Sequence, residues 1–252
     1  NAGAEAYNVA IGSLAGNDVT TGIQNTLIGG LAGDALTDAD DNVAIGILAL
    51  SADTLGSNSV AIGYKALGTQ NFTTATDVYN VAVGYNSGAS ITTGFQNVLI
   101  GGLSGDAITD ADRNTAVGHA SLGTNTLGSN NTAVGTYSLL NTNPATAVAM
   151  YNTAVGYGSG QNVTTGVENT LIGGLAGDAL TDADYNVAIG SEALSTDTLG
   201  SRSVAIGRAA LNAQNFTTAT NTYNVAIGFD AGKAVTTGVN NTLIGGLAGD
   251  AL

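Results

Sequence analysis

Small and apolar residues recur along this chain in a five-residue stretch, first seen as Asn8-Val9-Ala10-Ile11-Gly12. The stretch returns fourteen times, with Val or Thr in second place, Ala or Leu in third, Ile or Val in fourth and Gly in fifth. We call its first residue the anchor, which is Asn in all copies but two. The anchors are Asn8, Asn25, Asn42, Ser59, Asn80, Asn97, Asn114, Asn131, Asn152, Asn169, Asn186, Ser203, Asn224 and Asn241.

The spacing of the anchors is periodic. The gaps from each anchor to the next follow the order 17, 17, 17, 21, and this set of four recurs as a cycle of four turns, so that Asn8 corresponds to Asn80 and Asn152. A fixed period of this kind is the signature of a repeat architecture. The chain has no sustained helical periodicity and no Asn-Gly hairpin signal. Short strands that follow one another in the same direction, without hairpins, therefore predict an all-β, parallel β-solenoid (β-roll) of about fourteen turns. We expect it to form a single repeat domain over residues 1–252.

Both faces of each predicted strand are mainly apolar. Because side chains alternate across a strand, the third place points to one face and the β-branched second and fourth places point to the other. One face can fill the interior of the turn. The other needs a cover, which is either an opposite wall of a thicker monomeric coil or another chain. We expect the second, a side-by-side homo-oligomer, most simply a trimer.

A single turn cannot be stable alone. Burying three or four apolar side chains gives roughly 1.5–3 kcal/mol each, whereas ordering the backbone costs roughly 1–2 kcal/mol for every residue. Stability must therefore come from stacking on neighbouring turns. The Gly in fifth place fits a corner, and the Ala or Ser three places later fits a crowded site. The anchor Asn has two open explanations: an amide ladder between turns, or a residue suited to the bend before a strand.

Composition excludes several classes of function. The formal net charge is −14 with only five basic residues, so a nucleic-acid-binding stripe is not expected. Cysteine is absent, which removes disulfides and thiolate metal sites. No apolar run approaches the roughly 20 residues of a membrane span. The chain opens on Asn1 and stops within a repeat at Leu252, and we interpret it as a segment of a longer, extracellular fibrous protein.

Two known families have similar repeats. Ser59-Val60-Ala61-Ile62-Gly63 and Asn131-Thr132-Ala133-Val134-Gly135 resemble the head repeats of YadA-type trimeric autotransporter adhesins. The 17-residue spacing, with Asn-Thr-Ala-Val-Gly followed by Tyr and a later Thr-Gly, resembles repeats of phage tail fibres more closely. The resemblance covers essentially the whole chain, although adhesin head repeats are shorter. It implies a left-handed parallel β-roll with three chains to a shaft.

The expected function is accordingly structural: the shaft of a phage tail fibre or bacterial surface adhesin, spacing and presenting a receptor-binding tip. A self-assembling extracellular filament subunit is the first alternative. A carbohydrate-active β-helix enzyme is the second, which irregular turns and a carboxylate cleft would favour. Catalysis is not expected, because the one histidine, His119, has no Ser-His-Asp constellation around it.

Two weaker candidate sites remain. Four extra residues in two of the long turns place Phe72 and Phe216 among Asn and Thr, where each ring either contacts cell-surface glycans or covers the neighbouring turn. Three carboxylates within seven residues recur in each cycle and offer the oxygen ligands that calcium prefers, although no EF-hand Gly or bidentate Glu follows them. A solvated turn is the alternative for these residues. They are Asp34, Asp38, Asp40, Asp106, Asp110, Asp112, Asp178, Asp182 and Asp184.

Overall fold

The computed structural model describes residues 5–251 and forms an all-β parallel β-solenoid of about fourteen turns, with no helix in that range. The predicted fold class is confirmed. In chain order the strands are β1 Val9–Ile11, β2 Thr26–Ile28, β3 Val43–Ile45, β4 Gly56–Ser57, β5 Val60–Ile62, β6 Thr76–Asp77, β7 Val81–Val83, β8 Val98–Ile100, β9 Thr115–Val117, β10 Gly128–Ser129, β11 Thr132–Val134, β12 Val148–Ala149, β13 Thr153–Val155, β14 Thr170–Ile172, β15 Val187–Ile189, β16 Gly200–Ser201, β17 Val204–Ile206, β18 Thr220–Asn221, β19 Val225–Ile227 and β20 Thr242–Ile244.

The three-residue strands pair in parallel from one turn to the next, in the register that the anchors predict. Val9 lies opposite Thr26, for example, and Ala10 opposite Leu27. The two-residue strands form separate pairs, each joining a long turn to the turn before it: β4 with β6, β10 with β12 and β16 with β18. The chain divides into two compact units, Asn1–Leu127 and Gly128–Leu252, and each contains seven of the three-residue strands. A single repeat domain over residues 1–252 stays a prediction.

Burial follows the predicted alternation. We number positions in a turn from the anchor as 0, so that the strand occupies positions 1 to 3. Position 2 is buried, as at Leu27 with 1% of its surface exposed, whereas positions 1 and 3 beside it are only partly covered. The small residue at position 7 is fully buried in most turns, as Ala32 and Ser87 show. The interior is therefore narrow and lined by small residues and Leu.

The large and small side chains of the core match each other over a cycle of four turns rather than within a single turn. Gly33, at position 8, faces two large side chains: an added Cβ would lie 2.7 Å from Leu27 and 2.8 Å from Leu36. In the next turn position 8 is Leu50 and position 11 is the polar Asp53, both fully buried. Large and small residues therefore compensate each other between positions 2, 8 and 11. This compensation explains why the exact repeat of the chain is a cycle of four turns rather than a single turn.

Position 4 is Gly in every turn because two constraints meet there. Its φ lies between 126° and 142° in all fourteen copies, a region that essentially only Gly occupies. An added Cβ on Gly12 would also lie 2.4 Å from the carbonyl oxygen of Gly29 in the next turn. Both the predicted corner and close packing of neighbouring backbones are therefore present.

Three further positions in each turn have left-handed backbone, with φ between 48° and 64° at positions −1, 6 and 8. Many of the residues there are bulky, such as Leu50, Tyr79 and Arg113, for which this conformation costs roughly 1–2 kcal/mol. Their N–H groups bond to neighbouring turns, as from Leu50 to the carbonyl of Ala66 at 3.0 Å. Bonds between turns thus hold a backbone that the sequence alone does not favour.

The anchors form the amide ladder that the sequence left open. Asn25 accepts a hydrogen bond on its side-chain oxygen from the backbone N–H of Asn42 at 3.0 Å, and its own N–H donates to the side-chain oxygen of Asn8 at 2.8 Å. Its side-chain nitrogen donates to the carbonyl of Ala39 at 2.7 Å, which closes the same turn. The ladder therefore runs mainly between side chain and backbone. An Asn anchor of this kind ties its own turn and the next one together.

Candidate interaction surface

The acidic turns use their carboxylates to join neighbouring turns. Asp40 accepts a hydrogen bond from the backbone N–H of Ile23 at 2.8 Å, and Asp112 and Asp184 repeat this bond in the later cycles. Asp38 accepts from the hydroxyl of Thr21, and the copies Asp110 and Asp182 accept from Thr93 and Thr165. These carboxylates lie in the turns as structural acceptors.

The calcium candidates do not come together as a ligand set. Within residues 5–251, no group of three or more His, Cys, Asp or Glu side chains is arranged to hold a metal ion. One carboxylate oxygen of Asp34 and one of Asp178 are buried without a hydrogen-bond partner. Partial burial raises the pKa of Asp34, Asp106, Asp112 and Asp178 above the ordinary 3.8, because it disfavours the charged form. The geometry gives calcium binding no support.

The two Phe candidates are buried. Phe72 and Phe216 each expose only 8% of their surface. The backbone N–H of Phe72 donates to Asp53 at 3.0 Å, and Phe216 bonds to Asp197 in the same way. The ring faces are therefore largely withdrawn from solvent, which fits the covering role better than the glycan contact. Glycan binding stays an untested prediction.

Next to the backbone of Phe72 lies a buried polar cluster that sequence reasoning missed. Gln70 donates to the carboxylate of Asp53 at 2.5 Å and to the hydroxyl of Ser59 at 3.1 Å, and it accepts from the side-chain nitrogen of Asn80 at 2.9 Å. Gln therefore supplies the amide that the Ser anchor lacks. The third cycle repeats the cluster with Asp197, Ser203, Gln214 and Asn224. The missed signal was the joint appearance of a Ser anchor and, at position 11 of the same turn, a Gln.

A threonine row was also missed. Position 12 is Thr in three of four turns, and eight of these hydroxyls donate to a carbonyl in the next turn, as Thr20 does to Thr37 at 3.1 Å and Thr37 to Thr54 at 3.0 Å. Aligning the turns on their anchors reveals this row.

The most extensive exposed feature is the outer strand face, which consists of positions 1 and 3 of every turn and is bordered by positions −1 and 5. Val, Ile and Thr occupy positions 1 and 3 throughout, because β-branched residues suit a pleated surface. Nearly all exposed large apolar side chains among the described residues lie on this face or its borders. The exceptions are Leu14, Val148, Val239 and Leu247.

Aromatic side chains stand at both borders of this face. In the turn of Asn80 both borders are aromatic, with Tyr79 and Tyr85, which are 52% and 59% exposed. At position 5, Tyr85 stacks on Tyr64 with ring centroids 5.5 Å apart. In the third cycle Arg208 lies over the ring of Phe229 at 5.5 Å. The borders are thus built from side chains that prefer partial cover to full hydration.

Charge is distributed unevenly around the turns. Only two of the 19 acidic residues, Asp41 and Glu168, lie on the outer strand face or its borders. Three of the five basic residues lie there: Arg113, Arg202 and Arg208. The remaining surface therefore holds almost all of the negative charge. His119 is exposed at position 5 on the same border.

Known proteins supply no further assignment. No family model, no curated protein and no solved structure matches the chain. A search of residues 5–251 for helices with the length and hydrophobicity of a membrane span found none.

Proposed function

We propose that this chain is a structural shaft segment of an extracellular fibre, a phage tail fibre or a bacterial surface adhesin, which spaces and presents a receptor-binding tip located elsewhere. The observation that carries the proposal is the uniformity of the turns. The strand register and the anchor bonds recur with little change from Asn8 to Asn241. A spacer needs this regularity, whereas a binding or catalytic site needs a local exception.

The placement of the polar groups supports the same function. Recurrent carboxylates such as Asp40 accept bonds from the next turn, and the buried Asp53 is fully engaged by its neighbours. Residues committed in this way are poor candidates for general acid and base roles. The proposal therefore assigns no reaction to the chain, and the carbohydrate-active enzyme is the weaker alternative.

The outer strand face favours a shaft in which copies lie side by side, and it also fits the second candidate, a self-assembling extracellular filament subunit. The resemblance to trimeric adhesins adds an expectation of three chains. The two candidates differ in what flanks the repeats. A shaft carries an attachment region and a tip, whereas a filament subunit consists of repeats almost throughout.

The test is the complete gene product. Its flanking sequence would show a C-terminal membrane barrel for an adhesin or a self-cleaving chaperone domain for a tail fibre. Electron microscopy of the purified whole protein should show straight rods of constant width with a distinct end. Globular particles, or hydrolysis of a polysaccharide by the repeat segment itself, would overturn the proposal.

A further inference from the structure

We propose that the outer strand face binds the same face of a second copy of this chain, with the turns of the two copies running in opposite directions. This inference depends on the proposed structural role and favours its second candidate, the filament subunit, because two copies in opposite directions place their ends at opposite ends of the pair. It replaces the expectation of three side-by-side chains with two. The second unit, Gly128–Leu252, contains the residues that specify the register.

Charge selects this face and this partner. At a net charge of −14, two copies repel each other over most of their surfaces. On the outer strand face of the second unit the charged residues are Glu168, Arg202 and Arg208, so the sign is reversed. Within the described residues of the second unit, this face therefore offers a second polyanionic copy less negative charge than the acidic turns do. A basic partner would instead favour the acidic turns.

The available area fits a small specific interface. Positions −1 to 5 span about 20 Å at about 3.3 Å per residue, and the six turns from Asn152 to Asn241 span about 24 Å at about 4.8 Å per turn. Each copy therefore offers about 500 Å², against the approximately 800 Å² per partner of a standard interface. The β-branched surface at positions 1 and 3 is flat enough to be covered by another surface of the same kind.

Position 5 supplies protrusions and recesses with the same spacing. Tyr157 and Phe229 protrude there, 58% and 52% exposed. Each is followed in the next turn by a Gly, and an added Cβ at Gly174 would meet no atom within 4 Å. At Gly246 the nearest atom is the carbonyl oxygen of Phe229 at 4.0 Å. The two protrusions are four turns apart, and so are the two recesses. Because the spacings are equal, the protrusions of one copy can fit into the recesses of another.

A twofold axis along the strand direction, between the turns of Asn186 and Ser203, matches these features. It opposes Tyr157 to Gly246 and Phe229 to Gly174. The same axis opposes Arg202 to Tyr185, Arg208 to Ser191 and Glu168 to Tyr223, so no two like charges face each other. An isologous contact of this type closes after two copies.

The test begins with the mass of the 252-residue chain in solution. Sedimentation at micromolar concentration should give twice the 24.7 kDa of one chain, and added salt should strengthen the association because it screens the repulsion between the copies. A monomer at all concentrations would overturn the proposal. A mass of three chains would overturn the twofold register.

Val155→Asp locates the interface, with Val148→Asp as a matched control. The two Val side chains are 36% and 39% exposed, but only Val155 lies on the outer strand face. We expect Val155→Asp to weaken association at least tenfold with its melting temperature close to that of the control, and Val148→Asp to leave association unchanged. Equal weakening by both variants would overturn the assignment of the face.

Gly174→Tyr tests the register without depending on lost stability. The stacked Tyr64 and Tyr85 show that the fold accepts aromatic residues at position 5 of adjacent turns. The variant chain should therefore keep its melting temperature while association falls at least tenfold. Unchanged association would overturn this register. If the wild-type chain is monomeric but binds glycans and Val155→Asp abolishes that binding, the face serves glycans instead.

These outcomes are separable from failure of the proposed function. The shaft is tested by imaging the whole gene product, and pairing by the mass of the repeat segment. A monomeric segment within rod-shaped particles would refute pairing alone, whereas a paired segment from a globular enzyme would refute the shaft alone.

Discussion

The long turns at residues 59–79 and 131–151 occupy equivalent places in successive cycles, yet they satisfy their buried polar groups differently. In the first, the Ser59 anchor relies on Gln70, which also bonds to Asp53 and Asn80. In the second, the anchor is Asn131, and its side-chain oxygen accepts the N–H of Asn152 directly at 3.2 Å.

The other members of the cluster change together with the anchor. The residues equivalent to Asp53, Gln70 and Phe72 are Asn125, Thr142 and Pro144. Because Asn131 brings its own amide, the long Gln is replaced by the short Thr142, whose hydroxyl is buried without a partner. The comparison shows that each long turn requires one side-chain amide beside its anchor position. Either the anchor itself or the residue at position 11 supplies that amide.

The largest expected effect tests the cover over the cluster. Phe72→Ala should lower the free energy of unfolding by about 3 kcal/mol, because a nearly buried aromatic side chain leaves a cavity and exposes the cluster to water. Phe216→Ala should have the same effect in the third cycle, and Pro144→Ala a much smaller one. Urea denaturation measures each variant. Loss of glycan binding with unchanged stability would instead favour the glycan contact.

Removing the shared amide is the next most severe change. Gln70→Met keeps the approximate volume but leaves the Asp53 carboxylate and the Asn80 amide each one partner short, so we expect a loss of about 2 kcal/mol. Gln214→Met is the internal replicate. A neutral result at both sites would contradict the view that Gln replaces the anchor amide.

Replacing Asp53, Ser59, Gln70 and Phe72 by their equivalents from the second cycle tests whether the four residues act as one unit. Ser59→Asn alone should destabilise by about 1–3 kcal/mol, because the longer side chain meets Gln70. Adding Asp53→Asn, Gln70→Thr and Phe72→Pro should recover most of that loss, giving a coupling energy of the same size. Strict additivity in the unfolding measurements would show that the two arrangements are independent substitutions.

A smaller gain is expected from the incomplete cluster. Thr142→Val removes a buried hydroxyl that has no partner and keeps its shape, so stability should rise by up to about 1 kcal/mol. The matched change in a partnered hydroxyl, Thr222→Val, should destabilise, because Thr222 donates to the carbonyl of Ser201 at 3.0 Å. Thermal unfolding of both variants gives the contrast.

The smallest effect concerns the incompletely partnered carboxylates outside the long turns. Since burial raises the pKa of Asp34 and Asp178, their ionisation opposes folding. The folded state binds more protons than the unfolded state, so this contribution is absent well below pH 3.8 and destabilises as the pH rises through the raised pKa. Asp34→Asn with Asp178→Asn should raise the melting temperature at pH 7 but not at pH 3. An equal rise of the melting temperature at both pH values would contradict the role of the two carboxylates' ionisation.

The strands, their register and the buried third place could be read from the sequence, because an exact period constrains every copy at once. The left-handed residues could not. Leu50, Tyr79 and Arg113 have no preference for that conformation, and hydrogen bonds from neighbouring turns impose it.

The candidate sites were less predictable for a similar reason. The cluster around Gln70 joins side chains that are far apart along the chain, from Asp53 to Asn80, and their proximity depends on the path of the turn. Phe72 appeared in a polar sequence context but is buried, although Asn71, Thr73 and Thr74 beside it are exposed. Composition correctly indicated which residues were unusual. It could not indicate whether their side chains are buried in the interior or exposed to solvent.

The fit between large and small residues across four turns also limits how a gene for this protein can change its length. Loss of the turn of Asn8 alone would leave Leu27 without its matching Gly16 in the preceding turn, whereas loss of one whole cycle restores every interior neighbour. Residues 25–63 and 169–207 differ at only five places, all at positions −1, 5, 6 or 10 and none at the buried position 2. Recombination between cycles therefore leaves the packing of the interior unchanged. Related genes should encode chains whose lengths differ by whole cycles.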